Sequence, residues 1–336
     1  KDDIAHFRNN WEEFSIDTSN NGVRLVMHNN TGLKTIYQRF LAQSISFNLL
    51  ETIFFNTQLS ISDLAEALYV STSTVYRTIE QINAHLLDHQ FQIETNPCRV
   101  EGSEDEIRYF FYNYFHEKYS NLQWSFYPIE EATLNQFLHF FIEFAQMKAD
   151  FAYYNIFKVV SVVNLIRFKQ GYYVDTSDIQ INFDEIIPDL TAFTEVFHKF
   201  EAANEVTVNN LLIQQIFTPY IREEFSLNFD RLMKKTKTNL KFSKEIQFLE
   251  KLLDDLAKKH QISLANKEDV ILNVHNASHL EYNEPRSGFI LHNHNYNFML
   301  NVKNDFPHFY NDLYKGAQDY RVLMRKPLTS SGIVFI

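Results

Sequence analysis

The sequence predicts a mostly α-helical protein, a winged helix-turn-helix followed by two all-helical bundles, on three observations. Two short amphipathic stretches inside Leu59–Leu87 are separated by only two residues. An alternating, turn-centred pattern follows them and has a counterpart near the start of the chain. Beyond roughly residue 130 the apolar residues recur at helical spacing in long runs.

Composition sets the outer limits. Among 336 residues there are only 7 Gly and 7 Pro against 32 Phe and 18 Tyr, which favours helices around aromatic-rich cores. Cys98 is the single cysteine, so a disulfide framework is excluded and a reducing, cytoplasmic setting is expected. No signal-peptide pattern is evident. The longest apolar stretch, near Phe151–Ile166, is interrupted by Asn155, Lys158, Ser161 and Asn164, so no membrane span is expected. A formal net charge of −11 argues against a protein that coats nucleic acid nonspecifically.

The paired helices come first. Ile61, Leu64, Ala65 and Leu68 fall at i, i+3, i+4 and i+7, and Ser60 with Asp63 has the spacing of a capping box. Val75, Ile79, Ile82 and Leu86 form the matching stripe of the second helix, with Ser71 as its N-cap. Ala65 is small where the two helices must cross. Tyr69 stands where such turns often carry glycine. Thr72, Ser73, Thr74, Tyr76 and Arg77 are left facing outward at the N-terminal end of the second helix, the end that enters a major groove in helix-turn-helix proteins. Hydroxyls, free backbone N–H groups and the helix dipole all suit phosphate there. A helical hairpin packed only for stability is the competing interpretation.

Phe91–Glu101 alternates about a turn at Asn96-Pro97 and is expected to form a two-stranded wing, with Arg99 placed to meet phosphate. Gly102-Ser103 ends it, and Ser103 with Glu106 is expected to cap the next helix. Phe14–Met27 has the same layout, and FSIDT aligns with FQIET. The first hairpin is therefore expected to be the wing of an earlier copy, with residues 1–30 its remnant, Lys1–Trp11 the tail of its recognition helix, and its first two helices missing. Residues 31–100 contain four bases (Lys34, Arg39, Arg77, Arg99) and six acids (Glu51, Asp63, Glu66, Glu80, Asp88, Glu94), an unfavourable balance for phosphate binding. The main DNA contact could then belong to the missing copy, with dimerisation doubling a weak contribution from this one.

The organisation expected is residues 31–120 as the winged helix-turn-helix with a linker helix, 121–240 as a first helical bundle and 241–336 as a second. Leu134, Phe137, Leu138, Phe141, Ile142 and Ala145 mark one helix; Val159, Val162, Val163 and Ile166 mark another, ended by Gly171 with Arg167 and Lys169 on the negative pole of its dipole. Further helices are expected near Pro188–Ala202 and Val208–Glu224, and the basic stretch 226–243 is expected to link the bundles.

Four histidines gather late in the chain, His275, His279, His292 and His294, the first two at i, i+4 on one helix face. Three roles compete: ordinary hydrogen-bonded side chains, a metal site, or a phosphoryl acceptor whose modification changes a helix interface. No cysteine and no well-placed acid completes a metal pattern, so no metal and no other cofactor is expected. With no nucleophile–base pairing and no phosphate-binding glycine loop, an enzyme is not expected either.

The order of wing, helix-turn-helix (LSISDLAEALYVSTSTVYRTI), wing (FQIETNPCRVEG), long helix (EDEIRYFFYNYF) and two helical domains bearing RFKQG and VHNASHL resembles the Mga/AtxA family. These are transcriptional regulators of Gram-positive bacteria with two phosphotransferase-system regulation domains (PRDs). The resemblance implies binding to double-stranded DNA, two PRD-like bundles, homodimerisation, and tuning by histidine phosphorylation from the sugar phosphotransferase system, with HPr or an EIIB-type protein as phosphodonor. It also implies an N-terminal winged helix and a C-terminal EIIB-like domain cut from this chain. Where family members often have a histidine after the KQG-like stretch, this chain has Tyr172 and Tyr173. The resemblance leaves His275 as the favoured phosphorylation site, then His279, with His198 and His139 the helical histidines of the first bundle. Two alternatives are a phosphorelay or scaffold protein using its winged helices for protein contacts, and a PRD-containing RNA antiterminator.

Overall fold

The computed structural model describes residues 14–19, 22–27, 38, 41–86, 89–119, 124, 126, 127, 129–148, 151–177, 194–279 and 296–324. The expected helix tail at Lys1–Trp11 and the side chains of His292 and His294 lie outside the described residues.

Both expected hairpins form. β1 (Phe14–Ser19) pairs antiparallel with β2 (Gly22–Met27), Phe14 opposite Met27 and Ser19 opposite Gly22. α1 (Ile45–Phe55), α2 (Ile61–Ala67) and α3 (Thr72–Leu86) follow, then β3 (Phe91–Thr95) and β4 (Cys98–Gly102), with Phe91 opposite Gly102 and Thr95 opposite Cys98. FSIDT and FQIET are thus the same strand of two like hairpins. α1 was not separately expected: it is apolar on most of its surface, which blurs its periodicity, and it buries Leu49, Leu50, Ile53 and Phe54.

Local chemistry sets the helix ends. Ser60 Oγ accepts from Asp63 N at 3.2 Å and Asp63 Oδ2 accepts from Ser60 N at 2.8 Å, the full capping box. These Ser60 hydrogen bonds also hold the Asp63 carboxyl below its usual range. α2 ends with Tyr69 at φ 56°, where Val70 N reaches back to Ala65 O at 2.9 Å. This is a left-handed helix ending of the kind glycine adopts without strain. Ser71 Oγ accepts from Thr74 N at 3.1 Å and starts α3 as expected. The wing is tied to α3 by Asn83, whose amide exchanges both hydrogen bonds with the backbone of Ile93. Gly102 is obligatory: at φ +142° a Cβ would lie 2.3 Å from Gln90 O.

α4 (Glu104–Lys118) runs out of the wing. Its expected capping box is not made: the Ser103 side chain caps nothing, and the Ser103 N–H goes to Gln90 O at 2.9 Å. α5 (Glu131–Phe144), α6 (Phe151–Lys169), α7 (Thr194–Asn204) and α8 (Asn210–Ile221) form the first bundle. Gly171 ends α6 at φ +85°, with Tyr172 N bonded to Arg167 O at 3.0 Å. Of the helix expected at Pro188–Ala202, the described part begins at Thr194. The stretch 226–243 is not an open link. It folds as α9 (Phe229–Thr236) and the first turn of α10 (Leu240–His260), because Asn228 and Asn239 cap two helices and Leu232 is buried. α11 (Lys267–His279), α12 (Tyr296–Asp305) and α13 (Pro307–Met324) complete the described elements.

The first core is continuous from Leu49 in α1 to Leu227 beyond α8, so the winged helix, α4 and the first bundle share one interior. Phe115 meets Phe54 and Phe126 edge to face, with Phe111 tilted against Phe54, across the winged-helix part, and Phe137, Phe141, Phe157 and Phe217 stack within the bundle. A second core comprises Leu232, Ile246, Leu249, Ile271, Leu272, Tyr320 and Met324.

A buried polar network joins the two halves of the first core. Pro219 has no N–H, so the carbonyl of Gln215, four residues earlier, loses its helical partner, and α8 departs from helical geometry at Phe217. Arg108 of α4 takes that carbonyl: Nη1 donates to Gln215 O at 2.8 Å, Nη2 to Tyr172 O at 3.0 Å, and Nε to Glu104 at 2.9 Å, with the side chain 0% exposed. Arg167 is not a helix-end charge facing water. It is buried, meets Glu104 through Nε at 3.0 Å and Nη2 at 2.6 Å, and stacks on Tyr172. Two guanidinium groups thus share one carboxylate, and the hydrogen bonds offset their desolvation.

Arg108→Met is expected to destabilise the protein by about 3–5 kcal/mol in chemical denaturation, because Gln215 O keeps only the 3.4 Å contact from Thr218 Oγ1, Tyr172 O loses its guanidinium donor, and Glu104 loses one of its two cations. Since one core spans both parts, hydrogen exchange should show α3 and α8 opening in the same cooperative step. Separate opening free energies for them would contradict the shared core.

Candidate nucleic-acid interface and buried histidine cluster

The N-terminal end of α3 is open. Val75, Thr78, Ile79, Ile82 and Leu86 are buried, while Ser71, Thr72, Ser73, Tyr76 and Arg77 are exposed and Thr74 is half-buried. The sequence-derived division of this helix into an inner stripe and an outer face matches that pattern. The hydroxyls are not equivalent: Ser71 Oγ lies 2.8 Å from both Ser73 Oγ and Thr74 Oγ1, forming a small cluster over the first turn. Arg77 makes no ion pair with any described residue. Tyr69, read from sequence only as an awkward turn residue, is 96% exposed beside this face, and Tyr76 is 56% exposed. A strained, fully exposed aromatic is costly to keep and gains nothing from packing, which is the signal that sequence pattern alone did not supply.

Arg99 is placed less favourably. It lies on β4 opposite Glu94 and pairs with Glu101 at 2.5 Å, so any phosphate must displace a carboxylate. Cys98 is buried at the turn end of the wing, where its N–H bonds Leu59 O at 2.7 Å.

The histidines divide by environment. His198 on α7 is 70% exposed, with Nδ1 3.2 Å from Glu201 Oε2. His139 stacks on Tyr154. His275 is 0% exposed. Its Nδ1 is 3.1 Å from Glu245 Oε1 and its Nε2 2.9 Å from Glu224 O. His279, one turn on and largely covered, places Nε2 3.0 Å from Glu245 Oε2. Tyr320 of α13 donates to Glu245 Oε1 at 2.6 Å. Burial pushes the Glu245 carboxyl up, but hydrogen bonds from His275 and His279 outweigh it and hold the group at about 2. His275 thus has a carboxylate oxygen at one ring nitrogen and a backbone carbonyl at the other. The expectation that no acid completes the histidine pair is corrected: Glu245, 30 residues earlier on α10, does so. Sequence spacing could not reveal it, because the pairing is made by packing α10 against α11.

These side chains sit at the junction of the two cores. Asn276, beside His275, bonds both the N–H and the C=O of Ser226, at 2.9 and 2.8 Å. Lys235 donates to the carbonyls of Glu223 and Phe225, and Lys148 pairs with Asp269 at 2.6 Å. The backbone between α8 and α9 is thereby held from one side by α11 and from the other by α9.

Comparison with known proteins agrees with this architecture. Residues 29–115 match the Mga helix-turn-helix domain, and residues 130–331 match the M protein trans-acting positive regulator (MGA) PRD domain. A candidate trans-acting regulator of Streptococcus pneumoniae serotype 4 is 29% identical over 324 residues, covering 95% of this chain and 66% of the relative. The Bacillus anthracis capsule synthesis positive regulators AcpB and AcpA are 20% identical over 255 residues and 22% identical over 193 residues. Those alignments cover 74% and 56% of this chain and 52% and 38% of the two relatives. This chain thus spans about two thirds or less of the length of each. The PRD match alone occupies more than half of the sequence, and the chain belongs to the Mga family, in which a Mga helix-turn-helix domain is joined to a Mga PRD domain.

Proposed function

We propose that this protein is a DNA-binding transcriptional regulator, acting as a homodimer, whose α3 enters the major groove of double-stranded DNA. The observation that carries the reading is the uncovered N-terminal face of α3, with Thr72, Ser73, Tyr76 and Arg77 outward over a fully packed inner stripe. Ser71 caps the helix at the Thr74 N–H, and the positive end of the helix dipole is available to a phosphate. Tyr69 joins the set as a flanking contact. Arg99 contributes only after release from Glu101. With one free arginine and several hydroxyls, sequence preference rests largely on DNA shape. The divisions at 120 and 240 stand as proposed functional units, although the first two share a core and Leu232, before residue 240, already belongs to the second.

We further propose that activity is tuned by phosphorylation from the sugar phosphotransferase system, through HPr or an EIIB-type donor. Among His275, His279 and His198, the surface favours His198: a donor protein must reach the ring, and a nitrogen must offer a lone pair. The Glu201 carboxylate orients the His198 ring through Nδ1 and leaves Nε2 outward. His275, buried and engaged at both nitrogens, is the least accessible of the three in this conformation.

Band-shift titration on a duplex selected from a random-sequence pool is expected to show Arg77→Ala weakening binding by about 10-fold and lowering the salt slope by about one. Retention of wild-type affinity and salt dependence would remove α3 from the contact set and favour a role in protein–protein contact. Tyr69→Gly is expected to raise stability by up to about 1 kcal/mol while weakening DNA binding, because it relieves the left-handed strain and deletes the contact together. A loss of stability would contradict the strain assignment. Incubation with phosphorylated HPr should yield phosphohistidine in the wild type and lose it in His198→Ala, read by mass spectrometry; label confined to His275 or His279 would reassign the acceptor.

A further inference from the structure

We propose that Glu245, His275 and His279 form a binding site for a zinc-class divalent metal ion at the junction of the two helical cores, a role separate from DNA binding and from phosphorylation. The three ligating groups bring their donor atoms within 4.8 Å of one another. Both histidines belong to one face of α11, and the carboxylate comes from α10, so two packed helices fix the set.

The spacing suits a metal. Zinc bonds to histidine nitrogen and carboxylate oxygen at about 2.0–2.2 Å, which places tetrahedral ligand atoms about 3.3 Å apart. Here His275 Nδ1 and His279 Nε2 stand 3.1 and 3.0 Å from the two Glu245 oxygens. The surrounding contacts are those of an oriented ligand set. His275 turns its other nitrogen, Nε2, to the carbonyl of Glu224 at 2.9 Å, which fixes the tautomer with a lone pair on Nδ1. The Tyr320 hydroxyl fixes one Glu245 oxygen at 2.6 Å. Phe242 covers both imidazole rings edge-on, at 5.1 and 5.4 Å between centroids, and excludes water from one side.

Donor chemistry points the same way: both nitrogens that face Glu245 are available as ligand atoms within the same cluster. Two His and one Glu are nitrogen and oxygen donors that suit zinc, cobalt and nickel and disfavour calcium and magnesium. Because Glu224 lies in the segment that leaves α8, a bound ion would lock α10, α11 and that segment together, a metal-dependent brace between the bundles.

Equilibrium dialysis of the chelator-treated chain against Zn²⁺, with Co²⁺ as the spectroscopic probe, tests the assignment. The expected result is one ion per chain, cobalt absorption of the tetrahedral type, and a melting temperature raised by zinc. His279→Gln, at the least buried of the three ligands, should keep the helical fold by circular dichroism and weaken zinc binding by at least about 100-fold. Tyr320→Phe should weaken it by about 10–100-fold with the fold retained. His198→Gln serves as the surface control and should bind like the wild type. Absence of stoichiometric zinc in the wild type, or undiminished binding in His279→Gln, overturns the proposal. Neither result bears on DNA binding, which the Arg77 variant reads separately.

Discussion

The fold turns on one buried cation. Pro219 breaks a hydrogen bond inside α8 and leaves the Gln215 carbonyl exposed to the core. Arg108 reaches it from the helix that leaves the wing, and Glu104, a carboxylate shared with the buried Arg167, pairs with and orients the group. The cost of burying two guanidinium groups is met by nearly complete hydrogen bonding, so each partner becomes hard to remove singly. The consequence is mechanical. The winged helix cannot swing on the first bundle without tearing a charged network out of a continuous core.

That constraint moves any regulatory adjustment away from the hinge one would first suspect. The segment between the cores is held by hydrogen bonds from Asn276, His275 and Lys235 and flanked by the Lys148–Asp269 ion pair. A second, smaller core begins at Leu232. Changes in charge or metal occupancy at this junction would alter how the second bundle sits on the rigid first unit. A change at the surface-exposed His198 would instead alter what docks on the first bundle.

Much of this was legible in the sequence, and the failures have physical causes. The α2–α3 stripes, the Ser60 and Ser71 caps, both hairpins and the Gly171 helix ending follow from local spacing, which is where short-range rules are strongest. The helix α1 was missed because a segment apolar nearly all round has little periodicity to read. The basic stretch 226–243 looked like a link by composition, yet Leu232 and two asparagine caps make it helical. At the site, the exposed face of α3 was readable because a helix wheel reports it. Glu245 beside His275 was not, because tertiary packing joins residues on separate helices. Arg167 shows the same limit: its place near a helix end suggested a partner for the helix dipole, and only the fold supplied Glu104 and Tyr172.

Family membership and exposed surface together support a groove-reading role, and charge opposes it: the chain is acidic, and Arg99 is occupied by Glu101. Binding of this kind depends on a rigidly presented helix tip rather than on a broad basic surface, which is why the stiffness of the first core matters to function. The most direct measurement is photocrosslinking to duplex DNA from a benzoylphenylalanine placed at Tyr76, compared with one at Tyr127, an exposed tyrosine outside α3. The account predicts crosslinks from position 76, lost when salt dissociates the complex, and none from position 127. Equal crosslinking from both positions, or none from position 76 in a complex that still forms, would contradict it.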